Sequence, residues 1–198
     1  MSLITMPLQL LGEITRRELI SATGRSGSPF TGAEQVQDWG GEWWEYDIVF
    51  GKHLGREGKK MSAFFAQVGG GKNTFLLRDW SIDQVISGTP VVAGAGQTGT
   101  TLATTGWAAN TTVLQYGDFF ALGTLDQTRL YHLTGDVVSN GAGAATLNFV
   151  PQLRSSPGNA QAVVVNAPNV HLRLVDGVPS NIRGGGVYSF TATLREAL

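Results

Sequence analysis

A glycine pattern in the middle of the chain is the closest match to a known binding motif. Gly94-Ala95-Gly96-Gln97-Thr98-Gly99 fits G-x-G-x-x-G, which in dinucleotide-binding folds leads from a strand into a helix that meets the pyrophosphate. The next residues, Thr100 to Gly106, are poor helix formers without an apolar helical period, although Asp118 follows at a suitable distance. The pattern therefore predicts a glycine-rich turn, and we expect no cofactor.

Titratable residues offer little support for catalysis or metal binding. His53, His132 and His171 are far apart, and none has a second histidine or a carboxylate at metal-ligand spacing. Glu45 and Asp47 share one strand face, and paired carboxylates can hydrolyse glycosides, but a solvated or inter-subunit polar face is the favoured interpretation. No Gly-x-Ser-x-Gly surrounds a serine. We therefore predict no metal site and no enzymatic activity.

A group of aromatic residues, Trp39, Trp43, Trp44 and Tyr46, allows three interpretations. Tryptophans stack on sugars, anchor protein interfaces or fill cores. Adjacent Trp43 and Trp44 point to opposite faces of a strand, so both cannot enter one core. One of them is expected to meet a second layer, a neighbouring subunit or a ligand. The predicted inter-subunit interface comprises Trp39, Trp43, Trp44, Arg16 and Arg17, with a solvated strand as the alternative for the two arginines.

Composition excludes several classes of function. The 198 residues are 42% hydrophobic, enough for a buried core, and 14 Lys and Arg balance 15 Asp and Glu for a net charge of −1. No basic surplus is available for nucleic acid or an anionic membrane. The chain has no cysteine, which excludes disulfides, thiolate ligands and a cysteine nucleophile. The 27 glycines and only 15% charged residues suit a β-rich chain partly covered by partners.

Charged residues are unevenly distributed along the sequence, and this distribution separates a middle segment from the two ends of the chain. Only five charged side chains fall within the 81 residues from Val85 to Val165. Glycine-rich turns there separate apolar runs of strand length. These runs are Thr112 to Leu122, Leu130 to Thr134, Ala144 to Val150 and Ala162 to Val165. Short strands at this spacing predict a small β-barrel or sandwich, OB-like in size.

The N-terminal part contains a half-buried strand. Between Glu42 and Phe50, the pattern places one set of residues on one face and a second set on the other. The first set is Trp44, Tyr46, Ile48 and Phe50, and the second is Trp43, Glu45, Asp47 and Val49. Gly40-Gly41 predicts a hairpin turn back to Gln35 to Trp39, because paired glycines tolerate positive φ.

One helix and two more strands complete the flanks. A helix is predicted over Lys59 to Val68, with Gly69 as its C-terminal cap, from four apolar residues at helical spacing. A strand is predicted from Thr74 to Arg78, and another from Val187 to Leu194 that returns to the N-terminal sheet. We therefore expect a mainly β protein: a tube-like sheet or sandwich with one packed helix from residues 1–84 and 166–198, interrupted by a β-barrel domain at 85–165.

No targeting signal is recognised. The N-terminal apolar stretch lacks a basic region before it and a small-residue cleavage pattern, and no run reaches the length of a membrane span. The chain is expected to be made in the cytosol.

A succession of motifs resembles the structural proteins of long-tailed phages and prophages, of the distal-tail or tail-tip baseplate type. The matching segments, in order, are Ser28 to Gly32, Gln35 to Gln37, Gly41 to Glu45, Phe75 to Asp79, Gly88 to Val92, Gly94 to Gly99, Leu102 to Thr104, Gly117-Asp118, Asp136-Val137, Gly141 to Leu147, Pro151 to Pro157 and Arg195 to Leu198. The chain departs from the pattern between Val170 and Gly186, where relatives carry a Trp-Asp-containing strand.

The resemblance implies a ring that joins the tail tube to the distal tip, and closed cyclic symmetry is the usual arrangement of such a homo-oligomer. Six copies, contacts to tube protein and other baseplate proteins, and a lumen through which DNA passes without specific binding are implied with it. The implied location is the virion, after assembly in the bacterial cytoplasm. A receptor- or carbohydrate-binding module of the tail is the alternative, suggested by the aromatic residues. The resemblance supplies no catalytic residues.

Overall fold

The computed structural model describes residues 2–7 and 12–198, so Met1 and positions 8–11 of the predicted 1–84 segment lie outside the described residues. The fold is mainly β, with 51% strand and 9% helix, and one of its sheets is a nearly closed barrel. This confirms the predicted fold class. Its strands in chain order are β1 (Leu3–Ile4), β2 (Gly12–Gly27), β3 (Glu34–Leu54), β4 (Thr74–Arg78), β5 (Gly88–Val92), β6 (Thr101–Trp107), β7 (Thr112–Leu114), β8 (Phe119–Leu122), β9 (Arg129–Leu133), β10 (Val137–Val138), β11 (Ala144–Val150), β12 (Val163–Val164), β13 (Asn169–Leu174), β14 (Asn181–Arg183) and β15 (Val187–Glu196).

A seven-stranded sheet is formed by strands from both ends of the chain. Its order is β1-β4-β13-β15-β3-β2, and β14 adds to β15. The predicted return of the C-terminal strand is confirmed, because β15 pairs antiparallel with β3 from Val187 to Arg195. Strand β13 was not predicted; it lies between β4 and β15, in the segment where the resemblance fails.

The central strand β3 follows its predicted alternation. Trp44, Tyr46, Ile48 and Phe50 are buried, whereas the residues between them are partly exposed. Burial of one face anchors the register of the strand, because a shift by one residue would turn the apolar set outward.

Helix α1 (Gly55–Val68) covers the buried face of this sheet. It begins at Gly55 rather than Lys59 and ends where predicted. Gly69 adopts φ 63° and donates its N–H to the carbonyl of Phe65 at 3.0 Å, as a left-handed C-terminal cap requires. Phe65 packs at 5.5 Å from Phe50 and 5.3 Å from Phe190 between ring centroids, which joins the helix to β3 and β15.

In the sequence, the strands of the second large sheet come after the first four strands of the seven-stranded sheet and before its last three. Its order is β12-β8-β9-β11-β6-β5, and a bridge between Val91 and Ala162 brings its two ends together. Gln84 donates to the carbonyl of Val165 at 2.7 Å, so the beginning and end of the inserted segment are adjacent. A separate core fills this barrel, including Leu102, Phe120 and Phe149.

Two predictions about local structure are wrong. The run from Thr112 to Leu122 is not one strand, because a turn at Gln115 to Asp118 separates β7 from β8. Gly40-Gly41 is not a hairpin turn, because β3 continues through it. The register of β2 against β3 shifts there, and Gly40 has φ 69°, so the glycines form a β-bulge. The hairpin turn lies at residues 28–33 instead.

Candidate functional site

Arg16 organises a polar network on the outer face of the large sheet. Its guanidinium contacts Asp47 at 2.7 Å, Glu18 at 2.8 Å and Glu45 at 3.3 Å. The register places Arg16 opposite Asp47 and Glu18 opposite Glu45, so pairing of β2 with β3 creates the network. Hydrogen bonding to Asp47 raises the pKa of Arg16. The arrangement neutralises this cation within the chain.

The same network argues against acid catalysis by Glu45 and Asp47. Thr193 donates its hydroxyl to Asp47 Oδ1 at 2.7 Å, and this bond together with Arg16 lowers the pKa of Asp47. Glu45 accepts the indole N–H of Trp43 at 3.0 Å. A glycosidase needs one carboxylic acid with a raised pKa to protonate the leaving group. The geometry favours a structural polar face over that chemistry.

Trp43 lies on this outer face beside β15. The guanidinium of Arg195 lies 3.9 Å from the centroid of its ring, a cation–π contact across paired strands. Trp43 is only partly exposed. Its role at an interface between subunits stays a prediction.

Trp44 does not belong to the predicted interface, because its side chain is buried within the protomer. Its side chain is 3% exposed, packs 5.9 Å from the ring of Phe119 and donates its indole N–H to the carbonyl of Leu130 at 2.9 Å. Phe119 and Leu130 belong to the barrel segment but join the core of the large sheet. Trp44 therefore connects the two sheets of one chain.

Arg17 also turns inward, in contrast to Arg16. It donates to Asp79 at 2.6 Å and to the hydroxyl of Ser81 at 2.9 Å, and its guanidinium lies 4.2 Å from the centroid of Phe119. Asp79 is 0% exposed and accepts a further hydrogen bond from the hydroxyl of Tyr46. Burial raises the pKa of Tyr46. Arg17 therefore contacts the segment that leads into the barrel and Phe119 within one chain, and its part in a subunit interface stays a prediction.

A second polar contact joins the sheets near the C-terminus. Arg154 of the barrel segment donates to Glu196 at 3.1 Å, and the backbone N–H of Trp44 donates to the same oxygen. Burial raises the pKa of Glu196, and the charge of Arg154 opposes this effect.

The hairpin arm, residues 23–39 of β2 and β3 with their turn, projects from the edge of the sheet. All residues from Glu34 to Gly40 are exposed, so neither face of this part is covered. Its large apolar side chains are strongly exposed: Phe30 at 95%, Trp39 at 71% and Val36 at 58%. Sequence analysis singled out Trp39 but missed Phe30. The signal available was its place in a turn motif, Ser28 to Gly32.

An apolar cleft lies at the opposite edge of the same sheet. Its volume is about 460 Å³, and it lies where β1 and β4 meet the segment that enters the barrel. Apolar lining is provided by Leu3, Ile4, Met6, Trp80 and Ile82, with Arg78 and Asp83 as its charged residues. No motif indicated this cleft, because its lining comes from separate segments.

The histidines occupy core positions. His132 stacks on Phe119 with 4.1 Å between ring centroids, and His53 and His171 are 7% and 5% exposed. Burial lowers the pKa of both His132 and His171. Within residues 2–7 and 12–198, no group of three or more histidine and carboxylate residues is placed to hold a metal ion.

The glycine pattern forms the loop between β5 and β6. Gln97 closes this loop by donating to the carbonyls of Ala93 and Gly94 and accepting from the N–H of Ala103. A strand follows instead of a helix, so a helix N-terminus for a pyrophosphate is missing at this loop. The predicted turn is confirmed.

Two general findings complete the description. No helix in the described part of the chain is long and apolar enough to cross a membrane. No protein-family model and no curated protein matches the chain.

Proposed function

We propose that this chain is a structural subunit of a long-tailed phage tail tip, which assembles with copies of itself into a ring between the tail tube and the distal tip. The succession of matching motifs supports the assignment to this class of phage protein. The architecture supports it further, because the resemblance implied a sheet with one packed helix interrupted by a small barrel. Partners of the ring are the tube protein and other tip proteins.

The exposed hairpin arm is the observation that carries the proposal. A two-stranded hairpin without a third strand or a packed face is marginally stable in water. The arm nevertheless extends with Phe30 at 95% and Trp39 at 71% exposure. Contact with a neighbouring copy would cover these side chains and stabilise the arm.

The charge of the outer sheet face is compatible with a channel for DNA. Arg16 is occupied by Asp47, Glu18 and Glu45, and the chain has a net charge of −1. Because its charge is paired, Arg16 adds little attraction for the phosphates of DNA in a lumen. We assign no specific DNA contact to the ring.

Measurement of assembly tests the proposal. Light scattering on purified protein should give a closed oligomer, expected to be a hexamer, and negative-stain images should show rings. Reconstruction of virions should place the chain between tube and tip. A chain that stays monomeric at high concentration and is missing from virions would contradict the proposal.

A receptor- or carbohydrate-binding module is the second candidate, and exposed aromatic rings favour it. Tyr116 is 72% exposed on the barrel segment, and Trp39 is 71% exposed on the arm. Either ring could stack on a sugar. Binding to a glycan array that is lost in Tyr116→Ala or Trp39→Ala, without a change in oligomeric state, would support this function over the first.

A further inference from the structure

The turn of the hairpin arm orders the backbone at Phe30 and leaves its side chain exposed. Ser28 and Ala33 close the turn through a backbone hydrogen bond of 2.9 Å, and the N–H of Gly32 donates to the carbonyl of Ser28 at 3.0 Å. The hydroxyl of Ser28 accepts from the N–H of Phe30 and Thr31. Because the backbone of the turn is already ordered, insertion of Phe30 costs mainly the rotamer freedom of its side chain.

The apolar cleft is suited in size and lining to bind a phenyl side chain. Its volume of about 460 Å³ falls in the usual range of ligand pockets, and Trp80 and Ile82 supply apolar lining. The cleft lies beside β1 and β4, at one edge of the seven-stranded sheet, and the arm belongs to β2 and β3 at the other edge.

Each of the two features carries one exposed cation and one exposed anion, so one orientation of the arm pairs opposite charges and the reverse orientation brings like charges together. Arg25 and Glu34 are exposed on the two strands of the arm close to its turn. Asp83 and Arg78, also exposed, lie at the cleft. Insertion of the tip can therefore pair Arg25 with Asp83 and Glu34 with Arg78, which would orient the arm as it enters.

We infer that Phe30 of one copy inserts into the cleft of the next copy and that this contact joins the subunits. The inference rests on the proposed ring and names its interface. The two surfaces consist of different residues, so a copy that inserts its arm into one neighbour still offers its own cleft to another, which makes the contact head-to-tail. Repetition of a head-to-tail contact yields a ring when the rotation closes. Two copies that exchanged arms reciprocally would instead form a symmetric dimer, and cross-linking that stops at dimers in the double variant would overturn the ring contact.

Site-directed cross-linking tests this contact, and the natural chain has no cysteine to interfere. Thr31→Cys places a thiol beside Phe30, and Thr5→Cys places one at the cleft. Two single variants mixed together should form covalent dimers with a short bismaleimide, whereas each variant alone should not. The double variant should give a ladder that ends at the size of the ring.

The negative outcomes of these experiments separate the contact from the proposed function. Rings that form without cross-links between positions 31 and 5 would overturn the contact and leave the proposed function standing. Cross-linking within one monomer would also overturn it. Failure of the unmodified chain to form rings or enter virions would contradict the proposed function itself.

A pair of charge variants provides a second test that does not depend on Phe30. Glu34→Arg and Arg78→Glu should each weaken association, and the double variant should recover it. Phe30→Ala should weaken association by roughly 30-fold or more, as for a buried aromatic anchor. Tyr116→Ala is the control, because it removes an exposed aromatic side chain from the barrel segment. Equal effects of Phe30→Ala and Tyr116→Ala, without recovery in the charge pair, would overturn the inference.

Discussion

Arg16 and Arg17 are adjacent in the chain but have opposite environments. Arg16 is 41% exposed and contacts three carboxylates that water also reaches, whereas Arg17 contacts Asp79, which has no exposure. Exposed ion pairs contribute little to stability, but a buried carboxylate that loses its partner is strongly destabilising. These two arginines therefore form a matched pair for mutation.

We expect Arg17→Ala to lower the free energy of unfolding by about 3 kcal/mol, because it leaves the buried carboxylate of Asp79 without its cation. Arg16→Ala, one position away on the other face, should change it little. Urea denaturation followed by tryptophan fluorescence measures both. Similar losses in the two variants would contradict the assigned burial of the Arg17 contact.

Glu196 should make stability depend on pH. Because burial raises its pKa above the usual value of 4.5, the folded chain binds a proton more tightly than the unfolded chain. Its contribution to stability is present below pH 4.5 and is lost as the pH rises through the raised pKa. The stability of the wild type relative to Glu196→Gln should therefore fall as the pH rises over this range. A difference that is constant with pH, or that grows, would show that the carboxyl does not titrate as expected.

Helix α1 depends on a close contact that its propensity does not reveal. Gly58 lies in the helix interior, where glycine costs about 1 kcal/mol relative to alanine. A Cβ atom at this position would overlap the ring of Tyr188 and approach its Cβ to 2.7 Å. The glycine therefore permits β15 and the helix to pack closely.

Gly58→Ala should destabilise the protein by about 1 kcal/mol or more, although alanine favours helix, because overpacking costs more than the propensity returns. Thermal unfolding measured by circular dichroism tests this expectation. Adding Tyr188→Ala should remove the overlap with the ring, although not the Cβ contact at 2.7 Å, so it should recover part of the loss relative to Tyr188→Ala alone. A more stable Gly58→Ala variant would contradict the packing between α1 and β15.

The two sheets share side chains and so should support one another. Phe119 from the barrel segment is 5% exposed and packs with Trp44 and Arg17 of the large sheet. The ion pair of Arg154 with Glu196 adds a second connection. Contacts of this kind couple the unfolding of neighbouring structural units.

Phe119→Ala should therefore lower the free energy of unfolding by about 3 kcal/mol or more, through a cavity that opens between the sheets. Tyr116→Ala, an exposed aromatic residue in the same segment, is the control. Calorimetry of the unmodified chain should give one transition. Two separated transitions, or a loss in Phe119→Ala no larger than in the control, would contradict this coupling.

Local pattern was sufficient for the elements with a clear apolar period. The alternation from Trp44 to Phe50 and the helical spacing of Met61, Phe64, Phe65 and Val68 appear as expected, because burial of one face requires that period. The loop character of Gly94 to Gly99 could also be inferred, since no helix-forming sequence follows it. Even the return of the last strand followed from its strict alternation near the C-terminus.

Positions that depend on distant partners could not be predicted from the sequence. Gly40-Gly41 looks like a turn locally, but pairing with β2 makes it a bulge. Arg16 and Arg17 are adjacent and have the same side chain, so their different environments cannot be told from residue type. Tryptophan is common in interfaces, so residue type also does not show that Trp44 is buried. Contacts with residues remote in the chain bury Trp44 against Leu130 and turn Arg17 toward Asp79 and Phe119. The cleft forms only when folding brings Leu3, Trp80 and Ile82 together from separate segments, because the long-range pairing of β1 with β4 positions them.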